Sequence, residues 1–142
     1  MEARTKSMKA AGELLSKANE QLKIINQVKG FPEFHEKFES TLGVPLKTGR
    51  IEIFQINLGK MCNMVCKHCH VDAGPDRQEI MTKETLELCL DALRNSNIDK
   101  VDLTGGAPEM NPHFKWFVGE VKKLNKHIMV RSNLTILVTN KF

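Results

Sequence analysis

Three of the four cysteines stand within eight residues, in Cys62-Asn-Met-Val-Cys66-Lys-His-Cys69. Crowding of that kind argues for a metal centre rather than a disulfide framework. Three soft thiolates on one short loop can wrap a cubic iron–sulfur cluster, each binding one iron. A [4Fe-4S] cluster that only carries electrons normally takes a fourth cysteine, so three leave one iron open. Two other readings stand beside this one. His68 or His70 could complete a Cys3His zinc set, although His70 adjoins Cys69 and no second CxxC completes a zinc ribbon. Cys89 could be the fourth ligand of a plain ferredoxin, although it falls on the apolar stripe of a helix, where a free cysteine behaves as a small hydrophobe. A second signal is Thr104-Gly105-Gly106-Ala107-Pro108-Glu109. Two adjacent glycines let a backbone approach a ligand closely, but alone they read as readily as a turn.

The elements that must position these groups follow from periodicity. Ile51 to Leu58 carries apolar side chains on both faces, as expected of a strand buried between layers. The cysteine loop comes next. Thr82 can cap a helix in which Leu86, Cys89, Leu90 and Leu93 recur at helical spacing, ending at Asn95-Ser96-Asn97. Lys100 to Thr104 is a short strand stopped by Gly105-Gly106. Asn111 and Pro112 suit the start of another helix, with Phe114, Phe117, Val118, Val121 and Leu124 inward. Ile128 to Leu134 is a third strand candidate. This β-α-β-α-β order implies a parallel sheet with crossover helices, in which function sits at the carboxyl ends of the strands. The cysteine loop, the double glycine and Arg131-Ser132-Asn133 all fall at such ends. Ahead of this core, Leu14 or Leu15, Ala18, Leu22, Ile25 and Val28 predict one amphipathic helix ending at Gly30. Pro32, Phe34, Phe38, Leu42 and Gly43 predict a second, with Pro32 in its first turn. The segment from Val44 to Gly49 reads as a linker, which gives a helical lead-in over 1–46 and a core over 50–142.

Composition excludes several classes. With 41% hydrophobic and 27% charged residues in 142, the chain is globular and large enough to bury a core. No apolar run approaches the roughly 20 residues of a membrane span, and MEARTKSMKAAGE lacks the apolar stretch of a signal peptide. A cytoplasmic location and no membrane partner are the expectation. Net charge is +4, but the lysines are scattered rather than gathered with aromatics, so nucleic acid binding has weak support.

The spacing CxxxCxxC directly after a buried strand resembles the signature of the radical S-adenosylmethionine superfamily. The resemblance implies a [4Fe-4S] cluster on Cys62, Cys66 and Cys69 whose open iron binds the methionine moiety of S-adenosylmethionine. It also implies reductive cleavage to a 5′-deoxyadenosyl radical and a one-electron reductant such as flavodoxin or ferredoxin. Family members usually end the next strand in Gly-Gly-Glu-Pro, along that methionine moiety; here Gly105, Gly106, Ala107 and Pro108 occupy the motif. Ala107 replaces the acidic residue, and Glu109 either substitutes for it or favours the dipole of the following helix. His68 stands where many members place an aromatic residue beside the adenine, and Ser132 and Asn133 are further cofactor candidates.

Longer runs are more specific. Cys69-His-Val-Asp-Ala-Gly-Pro75, Gly105-Gly-Ala-Pro-Glu109 and Val130-Arg-Ser-Asn-Leu-Thr-Ile-Leu137 look like the superfamily members associated with arsenosugar biosynthesis. That likeness implies a small-molecule substrate, a methylated trivalent arsenical that receives the 5′-deoxyadenosyl group. His70, Asp72 and Arg131 are then pocket candidates, against plainer readings as a loop-ordering hydrogen bond and a strand-end ion pair. Radical enzymes acting on another substrate, such as a peptide, and an electron-transfer iron–sulfur module are the alternatives. The superfamily fold is a partial barrel of parallel strands. The chain reads as its amino-terminal part, about three β/α units preceded by two helices. It reads as a truncation, inactive alone, in which Leu134 to Phe142 forms an uncovered apolar strand edge.

Overall fold

A computed structural model describes residues 6–139. Strands β1 (Ile53–Asn57), β2 (Lys100–Thr104) and β3 (His127–Val130) form one parallel sheet in the order β1-β2-β3. Ile53 pairs with Lys100 and Asn57 with Thr104, while Lys100 pairs with His127 and Leu103 with Val130. This register aligns the carboxyl ends of the strands. Helices α1 (Ala18–Ile25) and α2 (Phe34–Leu42) precede the sheet; α3 (Lys83–Arg94) connects β1 to β2, α4 (Phe114–Lys123) connects β2 to β3, and α5 (Thr135–Thr139) follows β3.

The core forms where the periodicity places it. Leu86, Leu90 and Leu93 of α3 and Phe117 and Val121 of α4 are buried against Ile56, Val101 and Leu103. Burial of each such side chain contributes roughly 1.5–3 kcal/mol. Thr82 caps α3, its hydroxyl accepting from the Thr85 backbone N–H at 3.4 Å. Cys89 packs half-buried against this core, and burial pushes its thiol pKa up. It is a protonated hydrophobe on the helix side of the sheet.

Several elements differ from the sequence reading. β1 is buried on one face only: Ile56 is buried, whereas Ile51 and Ile53 are exposed. Its other face bears Gln55, whose side chain bonds Asp102 across the sheet. Asn111 both caps the turn ahead of α4, its Oδ1 accepting from His113 N–H at 2.9 Å, and is a buried tie, donating to the carbonyls of Leu58 at 3.0 Å and Met81 at 2.9 Å. Helix α4 accordingly begins at Phe114, after His113. β3 ends at Val130, and Thr135–Thr139 is helical rather than an extended edge. Its Ile136 is fully buried, while Leu137 and Val138 are exposed. The last part of the expected edge, from Asn140, lies outside the described residues.

The chain divides into two compact units, one from Leu14 to Arg50 and the other comprising the sheet together with residues preceding Leu14. In the first, the predicted long helix is interrupted. Leu14–Ser16 is a single 3-10 turn, and Lys17 is extended with no side-chain cap ahead of α1. Helix α2 ends as expected on Gly43, in the left-handed conformation at φ 69°, but Pro32 lies outside it, before the Glu33 cap. The sheet unit resumes at Ile51, and residues 6–13 belong with it rather than with the helical segment. Their backbone is held by carboxylates of the cysteine loop, an interaction that helical periodicity cannot register.

Candidate functional site

The segment leaving β1 is pinned at its neck, and the cysteines lie beyond it. Leu58 N–H donates to the Thr104 carbonyl at 2.8 Å, Lys60 N–H to that of Glu79 at 2.7 Å, and Cys62 N–H to that of Gly74 at 3.2 Å. Gly74 N–H returns a bond to the Lys60 carbonyl at 3.1 Å, closing the loop. Inside it, Cys69 N–H bonds the Cys66 carbonyl and Asp72 N–H that of Cys69. Asp72 adopts φ 51°, a conformation that an aspartate tolerates better than most side chains.

The loop end is fastened to the chain's beginning. The Asp72 carboxylate accepts from Met8 N–H at 2.5 Å, Lys9 N–H at 3.0 Å and the Arg77 guanidinium at 2.8 Å. Asp76 accepts from both the N–H and the hydroxyl of Ser7, at 2.9 and 2.5 Å. The Ser7 hydroxyl bond is the main reason its carboxyl sits below the usual range. Arg77 forms a paired bond to Glu79 at 3.0 and 2.8 Å and holds that carboxyl down at about 2. Asp72 is therefore a buried anchor, the plainer of its two sequence readings, and not a pocket residue.

The turn after β2 meets this loop through backbone. Gly106 N–H donates to the Gly59 carbonyl and Ala107 N–H to that of Met61, both at 2.9 Å. A Cβ on Gly106 would stand 2.4 Å from the Met61 carbonyl oxygen, and one on Gly105, at φ +145°, 2.6 Å from that of Gly59. The glycines are thus required by the approach of one strand-end segment to the other. Their Cβ positions face protein backbone, so any contact this turn makes with a ligand is through its main chain. Beyond them Ala107 is buried with Cys62, Ala73 and Ile136, and Cys69, Val71 and Met110 pack on that cluster. Pro108 and Glu109 begin a 3-10 turn and are buried; the Oε2 oxygen of Glu109 is buried with no hydrogen-bond partner.

The segment after β3 closes the third side. Arg131 forms a bidentate pair with Asp102, Nε to Oδ1 at 3.0 Å and Nη2 to Oδ2 at 2.7 Å. That contact lowers the Asp102 carboxyl. Arg131 is the strand-end ion pair of the plainer reading. Ser132 Oγ accepts from Leu134 N–H at 3.1 Å. Asn133 reaches the cysteine loop, its Nδ2 lying 3.6 Å from Cys62 Sγ and 2.8 Å from Asn63 Oδ1. Sequence reasoning missed Asn63 and the Ser7–Asp76 pin, because each contact joins residues 69 or more apart. His68 and His70 are exposed on the loop.

Residues 56–139 match the radical SAM superfamily, and the protein belongs to that superfamily. It is 38% identical over 80 residues to the GTP 3′,8-cyclase of Peptoclostridium acidaminophilum, covering 54% of this chain and 24% of that protein. Over 83 residues it is 29% identical to a probable GTP 3′,8-cyclase of Pyrococcus horikoshii, covering 58% of this chain and 27% of that one. A probable GTP 3′,8-cyclase of Saccharolobus islandicus is 31% identical over 74 residues, covering 52% and 24% respectively. The chain thus spans about a quarter of the length of these relatives. The three-stranded parallel sheet agrees with the amino-terminal part of a radical SAM partial barrel. Among the described residues no helix is long and apolar enough to cross a membrane.

Superfamily enzymes use a [4Fe-4S] cluster and S-adenosylmethionine, and the residues present fit both. Met64 N–H lies 3.4 Å from Cys62 Sγ and Ala73 N–H 3.3 Å from Cys69 Sγ; such donors stabilise thiolates as ligands. Among the described residues no group of three or more His, Cys, Asp or Glu side chains is gathered to hold one metal ion. A cubane asks for something different, one thiolate at each of three separate irons. The orphaned oxygen of Glu109 suits a cationic ligand group at the glycine turn.

Proposed function

We propose that this chain is the radical-generating part of an enzyme, with Cys62, Cys66 and Cys69 each ligating one iron of a [4Fe-4S] cluster. One observation carries the reading: Cys62 and Cys69 pack in the same buried group as Ala107, so the thiol loop and the glycine turn form one surface at the strand ends. When bound, the cluster and S-adenosylmethionine supply reductive cleavage of a sulfonium to a 5′-deoxyadenosyl radical, the electron coming from a donor such as flavodoxin or ferredoxin.

The chain's own residues bind, orient and shield. The Gly105–Pro108 segment lies along the methionine moiety, with its backbone fixed by the bonds from Gly106 and Ala107. Glu109 receives the ammonium group in place of the carboxylate that Ala107 lacks, which gives its buried oxygen a charged donor. His68 stands beside the adenine, and Ser132 approaches the cofactor from the third strand end. Ile136, Ala73 and Ala107 keep water from the cysteine sulfurs.

For the substrate, the reading favoured by the Cys69–Pro75 and Gly105–Glu109 segments is a methylated trivalent arsenical that receives the 5′-deoxyadenosyl group, as in arsenosugar biosynthesis. Trivalent arsenic prefers thiols, and Cys89, the one cysteine outside the cluster loop, lies within α3 packed against the apolar core rather than at the strand ends. The relatives support a second reading, a guanine nucleotide substrate. The reconstituted, reduced protein is incubated with S-adenosylmethionine and either a dimethylated arsenous compound or GTP, and products are read by mass spectrometry. A 5′-deoxyadenosylated arsenical supports the first reading; turnover of GTP alone replaces it with the second.

A further inference from the structure

Asn133 is tied at both ends of its amide. Oδ1 accepts from the Ile136 backbone N–H at 3.1 Å and from the Thr135 hydroxyl at 3.0 Å. A backbone N–H can only donate, so that end of the amide is the oxygen and the other end is the NH2 group. The two hydrogens of Nδ2 have two acceptors, Asn63 Oδ1 at 2.8 Å and Cys62 Sγ at 3.6 Å. Asn63, one residue beyond Cys62, is itself fixed, donating from Nδ2 to the hydroxyls of Thr135 at 3.1 Å and Thr139 at 3.2 Å. Ile136 is fully buried beside Cys62, which anchors the short helix that orients the amide. Neither rotation of the amide nor retreat of its backbone is open to Asn133 without breaking these bonds.

We propose that Asn133 is a positioning residue for the Cys62 ligand, setting the reduction potential of the cluster through its N–H···S bond rather than contacting S-adenosylmethionine. The inference rests on the cluster assignment made above. A hydrogen bond to a ligating sulfur withdraws electron density from the iron–sulfur bond and favours the reduced, more negative cluster, which raises the potential. Cys62 Sγ has this side-chain donor in addition to the Met64 N–H. The third strand end therefore acts on the electron-transfer step as well as on the shape of the site.

The test is a redox titration of the anaerobically reconstituted protein, before any S-adenosylmethionine is added, with iron and sulfide analysis of each sample. Asn133→Ser and Asn133→Thr keep an oxygen able to cap Ile136 but cannot reach the sulfur. Both are expected to hold about four irons and four sulfides, with midpoint potentials shifted negative of wild type and Fe–S(Cys) stretching frequencies shifted upward. Val138→Ala, on the exposed side of the same helix, leaves the bonds to Asn133 and Asn63 in place and is expected to titrate with wild type. Fully loaded Asn133 variants with the wild-type potential and stretching frequency overturn the inference and leave the cluster assignment standing. A wild-type protein that incorporates no cluster overturns that assignment, and the inference with it.

Discussion

Cys62 is the most buried of the three loop cysteines and accepts two N–H contacts on its sulfur. Cys89, by contrast, packs partly buried against the apolar core. Replacing Cys66 by Ala should abolish the cluster, whereas Cys89→Ala should leave iron and sulfide content unchanged at a cost of about 1 kcal/mol in stability; both are read by metal analysis and thermal melting. At Glu109, the unpartnered oxygen sets up a second expectation. Glu109→Gln should weaken S-adenosylmethionine binding about tenfold, since a hydrogen bond to a charged group is worth roughly 1.5–3 kcal/mol, with cluster content intact; equilibrium titration checks it. The cysteines and glycines were legible in the sequence because each set is contiguous, so spacing alone encodes it. Asn133 was legible as a candidate but not in its role, since its partner lies 71 residues away. Asp72 and Arg131 carried charge at suggestive places, and only the fold shows both engaged in structural pairs.

At the scale of elements, local signals succeeded where the element makes its own contacts. Strand β2, the Thr82 cap and the Gly43 stop are set by neighbouring residues, and each occurs where periodicity and turn chemistry place it. The predicted amino-terminal helix survives only as α1, and its beginning is not helical because Asp72 and Asp76 draw the backbone at Ser7, Met8 and Lys9 into tertiary bonds. Apolar residues from Leu134 onward read as a strand because a short apolar run does not distinguish the two periods; the Asn133 side chain capping Ile136 N–H decides for helix. Two predictions belong here. Gly106→Ala should destabilise the protein by at least ~2 kcal/mol, because the clash is with backbone and the turn must move; chemical denaturation measures it. The Arg77 bond lowers the Glu79 carboxyl from 4.5 to about 2, and Ser7 lowers that of Asp76. A lowered folded-state pKa gives stability that is complete above the unfolded value and lost as pH falls through the folded one. The melting temperature of the metal-free protein should therefore drop between about pH 4.5 and 2, and Glu79→Gln should flatten part of that slope. The contribution is small because Glu79 is half-exposed and its pairing is screened.

For the whole molecule, three parallel strand ends bring together a thiol loop, a glycine turn and a polar capping segment. The α/β order and parallel sheet were readable from alternating periodicities, and with them the end of the sheet that carries chemistry. The limits of the sheet unit were not, since the pin at Ser7 joins residues that no local pattern connects. Superfamily membership supplies the cofactors, and the packing of Cys62 and Cys69 with Ala107 gives them a common surface. The claim that three cysteines leave one iron open for S-adenosylmethionine is tested most directly by electron paramagnetic resonance of the reduced, reconstituted protein. In a sample holding about four irons and four sulfides per chain, adding S-adenosylmethionine should change the g values and line shape of the cluster signal. A fully loaded cluster whose spectrum is indifferent to S-adenosylmethionine would contradict the account.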